Sequence, residues 1–272
     1  MISNARSALF VPGDRPERFA KAYGSGADYV IIDLEDAVDE SSKEQARQNV
    51  AEFAGANPGH MLLVRINVTG HPHHESDLEL CRTCPNVAGV LLPKAESTEQ
   101  INQATRCLKP IWPIIESARG LANIESLASC HGIGRMCLGT VDLSLDLNLE
   151  DGGAAEVILN QARYALLVHS RANSLEAPLD GVYVALDDNP GLAATAKRSR
   201  AMGFAGMLCL HPKQIPTIHT AWRPDASAIA WARRVVEAAQ GTGAFRLDGQ
   251  MIDAPVIAKA NKLLALAEPD QD

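Results

Sequence analysis

The chain has 272 residues, 46% of them hydrophobic, which is enough for one large domain around a single core. Twenty-five basic residues against 33 acidic ones leave a net charge of −8, which argues against a nucleic-acid or anionic-membrane surface. No apolar run approaches the roughly 20 residues that span a bilayer, and the opening Met1-Ile2-Ser3-Asn4-Ala5-Arg6 lacks the pattern of a secretory signal, so a cytoplasmic protein of small-molecule chemistry is expected.

In chain order, aliphatic runs that predict buried strands stand at residues 7–11, 29–33, 62–66, 89–92, 111–115, 135–138, 181–184 and 206–210. Helical spacing separates most neighbours. Ala46, Val50 and Phe53 follow a Ser41-x-x-Glu44 capping box, Ile101, Ala104 and Leu108 follow Ser97-x-x-Gln100, and Ile158, Ala162, Ala165 and Leu166 repeat at helical intervals. Eight strand-then-helix units over residues 1–240 predict an α/β fold, a (β/α)8 TIM barrel with its site at the carboxyl ends of the strands. A doubly wound open sheet is the runner-up. It is disfavoured because no Gly-x-Gly-x-x-Gly follows the first strand, and Gly24-Ser25-Gly26 precedes the second. After a helix with Ile229, Ala232 and Val236 on its apolar face, Gly241-Thr242-Gly243 reads as a joint. The segment 241–272 carries a helix marked by Pro255, Val256, Ala260 and Leu263, expected to serve as a lid or as an arm over a neighbouring subunit. Six cysteines are too few for a disulfide scaffold in a chain this long, and free thiols are expected.

Charged residues fall where the predicted strands end. The run 29–32 leads into Asp33-Leu34-Glu35-Asp36, Leu62-Leu63-Val64 into Arg65, Val90-Leu91-Leu92 into Pro93-Lys94, Ile114-Ile115 into Glu116, and Leu208-Cys209-Leu210 into His211. One such residue is as well explained as a charged cap. Five in succession predict a pocket of carboxylates with an arginine and a lysine. Clustered carboxylates repel unless a cation joins them, and a small all-oxygen donor set favours Mg²⁺. Arg65 beside such a metal suits a substrate carboxylate, since guanidinium presents a bidentate fork that stays charged. Asp33, Asp36 and Asp39 are also compatible with a solvated turn.

Rival chemistries leave weaker traces. His71-Pro72-His73-His74 ahead of Cys81-x-x-Cys84 contains zinc-type ligands, but a lone cysteine pair without a second at finger spacing is a poor zinc signal. No Gly-x-Ser-x-Gly marks a serine hydrolase. Schiff-base aldolase chemistry would need a desolvated lysine, for which Lys94 is the strand-end candidate.

The ordered segments Arg6-Ser7-Ala8-Leu9-Phe10-Val11-Pro12-Gly13, Asp33-Leu34-Glu35-Asp36-Ala37-Val38, Arg65-Ile66-Asn67, Leu92-Pro93-Lys94-Ala95-Glu96-Ser97, Ile115-Glu116-Ser117-Ala118-Arg119-Gly120, Gly139-Thr140-Val141-Asp142-Leu143 and Met251-Ile252-Asp253-Ala254-Pro255 cover nearly the whole chain. Together they resemble the citrate lyase β-subunit-like branch of the HpcH/HpaI aldolase superfamily, near the citramalyl-CoA and malyl-CoA lyases. The resemblance implies a Mg²⁺- or Mn²⁺-dependent lyase that breaks a carbon–carbon bond in a 3-hydroxyacyl-CoA. (S)-citramalyl-CoA, giving acetyl-CoA and pyruvate, is the expected substrate. Malyl-CoA and citryl thioesters are the alternatives, and an acyl-CoA-binding regulatory protein is the non-enzymatic one. It implies Glu116 and Asp142 as metal ligands, Arg65 on the oxo-acid carboxylate, and Glu35 and Asp36 bonding the metal's waters or orienting Arg65. Phe10, Arg18 and Lys21 fall where such lyases meet substrate and CoA. Arg15, Arg18 and Lys21 lie three apart, a spacing that suits either CoA phosphates or a solvated basic face. Asp253 is implied to act as acid or base on the acetyl-CoA enolate from a neighbouring subunit, within a homotrimer or hexamer.

Overall fold

The computed structural model describes residues 5–239 and 243–267. Eight parallel strands close a barrel in chain order: β1 (Ser7–Pro12), β2 (Tyr29–Asp33), β3 (Leu62–Arg65), β4 (Val87–Leu92), β5 (Ile111–Ile115), β6 (Arg135–Leu138), β7 (Glu176–Asp180) and β8 (Gly206–Cys209), with β8 pairing back to β1. This is a (β/α)8 TIM barrel. Strands enclosed by helices on one side and by the barrel core on the other need apolar side chains on both faces, and β5 and β8 are buried at every position. Ala8, Ile31, Leu63, Leu91, Ile114, Cys137, Leu179 and Leu208 fill the interior. At the amino end Trp112 packs edge-on to Tyr29 at 5.3 Å and beneath the Arg135 guanidinium at 5.3 Å, which closes that end. Gly206 is required where the barrel shuts, because a Cβ there would collide with the backbone of Ala5 and Arg6.

The outer helices bury most of the residues their spacing marks, but Leu108 falls past the end of its helix and is exposed, as is Ile158. The helix Lys43–Ala56 buries Ala46 and Val50, and Thr98–Ala104 starts with both hydrogen bonds of the Ser97/Gln100 capping box. The Ser41/Glu44 box does not form. A single 3₁₀ turn, Glu40–Ser42, leads into the helix instead, and Ser42 makes no side-chain cap. All six cysteines are free thiols.

The seventh strand lies elsewhere than the sequence predicts. The alternation at residues 181–184 suggests a strand, but β7 is Glu176–Asp180, and Val182 and Val184 lie in the loop beyond it. The strand escapes apolar pattern recognition because polar pairs hold it. Arg135 binds Glu176, and Asp180, 1% exposed, takes Arg163 Nε on both oxygens at 3.0 Å together with the Ser199 hydroxyl.

The chain divides into two compact units, residues 1–218 and 219–272. The boundary therefore falls before the expected 240/241. The helix Ala226–Ala238 belongs with the tail because Ala232 and Val235 share an apolar cluster with Ile252 and Ala260. That second unit also holds an antiparallel hairpin of β9 (Phe245–Leu247) and β10 (Gln250–Ile252), followed by the helix Ala254–Ala265. The expected joint at Gly241-Thr242 and the opening residues Met1 to Asn4 lie outside the described residues. No helix among the described residues is long and apolar enough to cross a membrane.

Candidate active site

Each strand-end residue is placed by the register of the barrel. Asp33 and Arg65 are Cα partners at the last positions of β2 and β3, so their side chains meet. Arg65 donates from Nε to Asp33 Oδ1 at 2.7 Å and from Nη2 to Oδ2 at 2.6 Å, a bidentate fork. Its Nη1 lies 2.9 Å from Glu35 Oε2 and 3.8 Å from Asp36, and its guanidinium covers the Phe10 ring at 4.9 Å. Asp33 also accepts the backbone N–H groups of Glu35 and Ala37, which folds the loop after β2 back over the strand. The buried Lys43 ammonium pins that loop by donating to the carbonyls of Leu34 and Glu35, both at 3.0 Å. Asp33 is thus a structural clamp on Arg65 and not a solvated turn residue. Asp36, by contrast, is largely exposed.

Glu116 follows β5 directly and is 4% exposed. Its Oε1 accepts the backbone N–H of Lys94 at 2.7 Å. Lys94 adopts a left-handed φ of 47°, a conformation that costs a non-glycine residue about 1 kcal/mol and aims this N–H at the carboxylate. The Lys94 ammonium lies 3.2 Å from Glu35 Oε1, 3.8 Å from Asp36 and 3.7 Å from Asp142. Asp142 stands in the first turn of the short helix Thr140–Asp146 after β6. Between them Gly139 leaves room for Glu116, since a Cβ there would occupy the space of its Oε2.

Lys94 and Glu35 line a neighbouring cavity, while Arg65, Glu116 and Asp142 line one of about 300 Å³. One wall carries Asp33, Asp36, Arg65, Glu116 and Asp142, and its floor is Ile114, Leu138, Val182 and Leu208. Burial pushes the Glu116 carboxyl up from 4.5 to about 7, and Asp142 and Glu35 add to that against the Lys94 N–H and Arg65. Glu35 is raised as well, chiefly by burial, against the pull of Arg65 and Lys94. Burial works against the charges of Arg65 and Lys94, yet the surrounding carboxylates hold both above their ordinary ranges.

The donor chemistry fits a hard divalent cation. Among the described residues no group of three or more His, Cys, Asp and Glu side chains is arranged as a metal cage. Glu116 and Asp142 offer two carboxylates, the charge of Asp142 opposing ionisation of Glu116, and Mg²⁺ is bound through one or two carboxylates with water and substrate completing its shell. Among the described residues the histidines and cysteines form no zinc-type set of three ligands: His71 and His73 approach only Glu40, at 3.2 and 3.6 Å, in no arrangement able to hold a metal, and Cys81 is fully buried.

A second cavity of about 320 Å³ shares Phe10 and Leu210 with the first and is lined by Arg18, Lys21, His211 and Pro212. Of the three basic residues of that region, Arg18 and Lys21 line it, whereas Arg15 pairs with Asp14 at 3.8 Å. Asp253 caps the helix Ala254–Ala265 through Val256 N–H and belongs to the second unit. Several contributors to the first cavity are not readable as such from the sequence. Gly139 is recognisable only from the crowding around Glu116, and Leu138 and Val182 look like ordinary strand residues.

Residues 6–212 match the HpcH/HpaI aldolase/citrate lyase family. The chain belongs to this family. A citrate lyase subunit beta-like protein of Mycobacterium tuberculosis is 37% identical over 264 residues, which span 95% of this chain and 94% of that one. A (3S)-malyl-CoA thioesterase of Cereibacter sphaeroides is 31% identical, with 97% and 94% of the two chains covered. Among solved structures, CitE from Mycobacterium tuberculosis in complex with magnesium, acetoacetate and coenzyme A superposes with a TM-score of 0.86 at 34% identity, covering 97% of this chain and 98% of that one. The same protein with magnesium and pyruvate gives 0.78 at 30% identity, with 96% and 98% covered.

Proposed function

We propose that this HpcH/HpaI family member is a magnesium-dependent lyase that cleaves the carbon–carbon bond of a 3-hydroxyacyl-CoA, with (S)-citramalyl-CoA as substrate and acetyl-CoA and pyruvate as products. The observation that carries the reading is the pair of joined cavities. One holds carboxylates and a clamped arginine over an apolar floor, and the other holds two basic side chains suited to CoA phosphates. A relative solved with magnesium and either coenzyme A or pyruvate, and another named for its action on malyl-CoA, support it.

Glu116 and Asp142 are the residues that would hold the cation. When bound there, it supplies Lewis-acid polarisation of the substrate's hydroxyl and nascent ketone oxygens. The remaining steps belong to the protein. Arg65 has five N–H donors, of which Asp33 takes two and Glu35 faces another, so a substrate carboxylate meets a cation already oriented. Lys94 adds a second positive charge close to Asp142. Ile114, Leu138, Val182 and Leu208 offer an apolar surface to the methyl that distinguishes citramalyl from malyl thioesters, a difference worth about 1–3 kcal/mol. Phe10 stands at the junction of the two cavities, where the thioester would pass, and Arg18 and Lys21 take the CoA end. Asp253 is assigned the protonation of the acetyl-CoA enolate, delivered by a neighbouring copy in a trimer or hexamer.

Incubation of the purified protein with Mg²⁺ and citramalyl-CoA tests this. Pyruvate and acetyl-CoA are expected in equal amounts, with malyl-CoA turned over less efficiently. Release of free CoA without acetyl-CoA would reassign the protein as a thioesterase, and silence with both substrates would leave it an acyl-CoA-binding protein.

A further inference from the structure

Lys94 is held in the left-handed region at φ 47°, where glycine or asparagine is the ordinary choice, so its side chain is retained against a conformational cost. Its backbone N–H serves Glu116 at 2.7 Å, a task any residue in that conformation can perform. The ammonium does something separate. It lies 3.2 Å from Glu35, 3.8 Å from Asp36 and 3.7 Å from Asp142, and among the described residues it is the one ion-pair partner of Asp142.

The ammonium also has room to move. Lys94 lines a neighbouring cavity of about 450 Å³ with Glu35, Asp36, Glu40 and His71, and its side chain is 42% exposed. A divalent cation on Asp142 would stand beside the ammonium, and the two repel. Glu35 can keep the ammonium while Asp142 gives it up.

Resting on the magnesium reading above, we infer that Lys94 is an exchangeable counter-cation: it neutralises Asp142 before the metal arrives, weakens divalent-ion affinity, and is then turned toward the carboxylate of the incoming oxo acid. Metal and oxo-acid binding are thereby coupled through a single side chain. Lys94 is in this sense a positioning residue for the metal and a contact for the acid.

Calorimetric titration of the full chain with MgCl₂, without any CoA ester, isolates the effect. Lys94→Gly and Lys94→Asn both tolerate the positive φ, so Glu116 keeps its N–H donor, and Lys94→Arg keeps the charge. Loss of one unit charge near the metal is expected to tighten Mg²⁺ binding about tenfold in the Gly and Asn variants after solvent screening, with Lys94→Arg close to wild type. Pyruvate binding to the magnesium-loaded protein should weaken about tenfold in the same two variants. Equal or weaker Mg²⁺ affinity in both would overturn the inference while leaving the lyase reading intact. Absence of Mg²⁺ binding in all four proteins, wild type included, would overturn both.

Discussion

Glu116 joins the electrostatics of the cavity to its chemistry. Its carboxyl is raised from 4.5 to about 7, so between those values the folded protein binds a proton that the unfolded chain has released. Stability of the metal-free protein therefore falls as pH rises through that window, by about 3 kcal/mol over the whole of it. Mg²⁺ favours the ionised carboxylate and should flatten the slope, which thermal melts from pH 4.5 to 7.5 with chelator or with magnesium would register. Gly139→Ala makes a complementary test, because the added methyl would meet Glu116 first, with Ile114 behind it. Mg²⁺ affinity should fall about tenfold or more, with the barrel still folded by circular dichroism. At this scale Arg65, Lys94 and Glu116 are legible because each ends an aliphatic run at a barrel mouth. Asp142 is not, since it lies within a helical turn past Gly139-Thr140-Val141 and shows itself only through family likeness. Asp33 is visible as an acid, but its clamp on Arg65 depends on the pairing of β2 with β3.

Among the elements, β7 carries the plainest lesson. Seven of the eight strands announce themselves by aliphatic runs, whereas Glu-Ala-Pro-Leu-Asp offers one leucine between charged ends. The strand is held by a buried ion pair to the helix Gly153–Ala172, and a pairing made through tertiary contact leaves no local pattern in the chain. Val182 and Val184, which imitate a strand, are loop residues lining the cavity. Arg163→Met should reveal the dependence. It strands Asp180 in a site 1% exposed, and removing one partner of such a pair costs about 3–5 kcal/mol. Chemical denaturation is the measurement, and Val182, two residues past Asp180, would be displaced with it, so KM for the acyl-CoA is expected to rise.

For the molecule as a whole, the barrel is readable from the alternation of strand and helix even with the seventh strand misplaced, and its closure is secured by β8 returning to β1. The unit boundary was not, because the helix Ala226–Ala238 has the length and face of a barrel helix and finds its apolar partners in Ile252 and Ala260. Asp253 caps the helix Ala254–Ala265 in that second unit and is the proposed acid on the enolate. Asp253→Ala should lower kcat by about a hundredfold, as loss of a general acid does, while Mg²⁺ affinity stays at the wild-type value. In the proposed site Glu116 and Asp142 share one divalent ion. Manganese titration followed by electron paramagnetic resonance counts such ions directly. One ion per chain is expected in the wild type and none at comparable concentration in folded Glu116→Ala and Asp142→Ala; unchanged binding in both variants would contradict it.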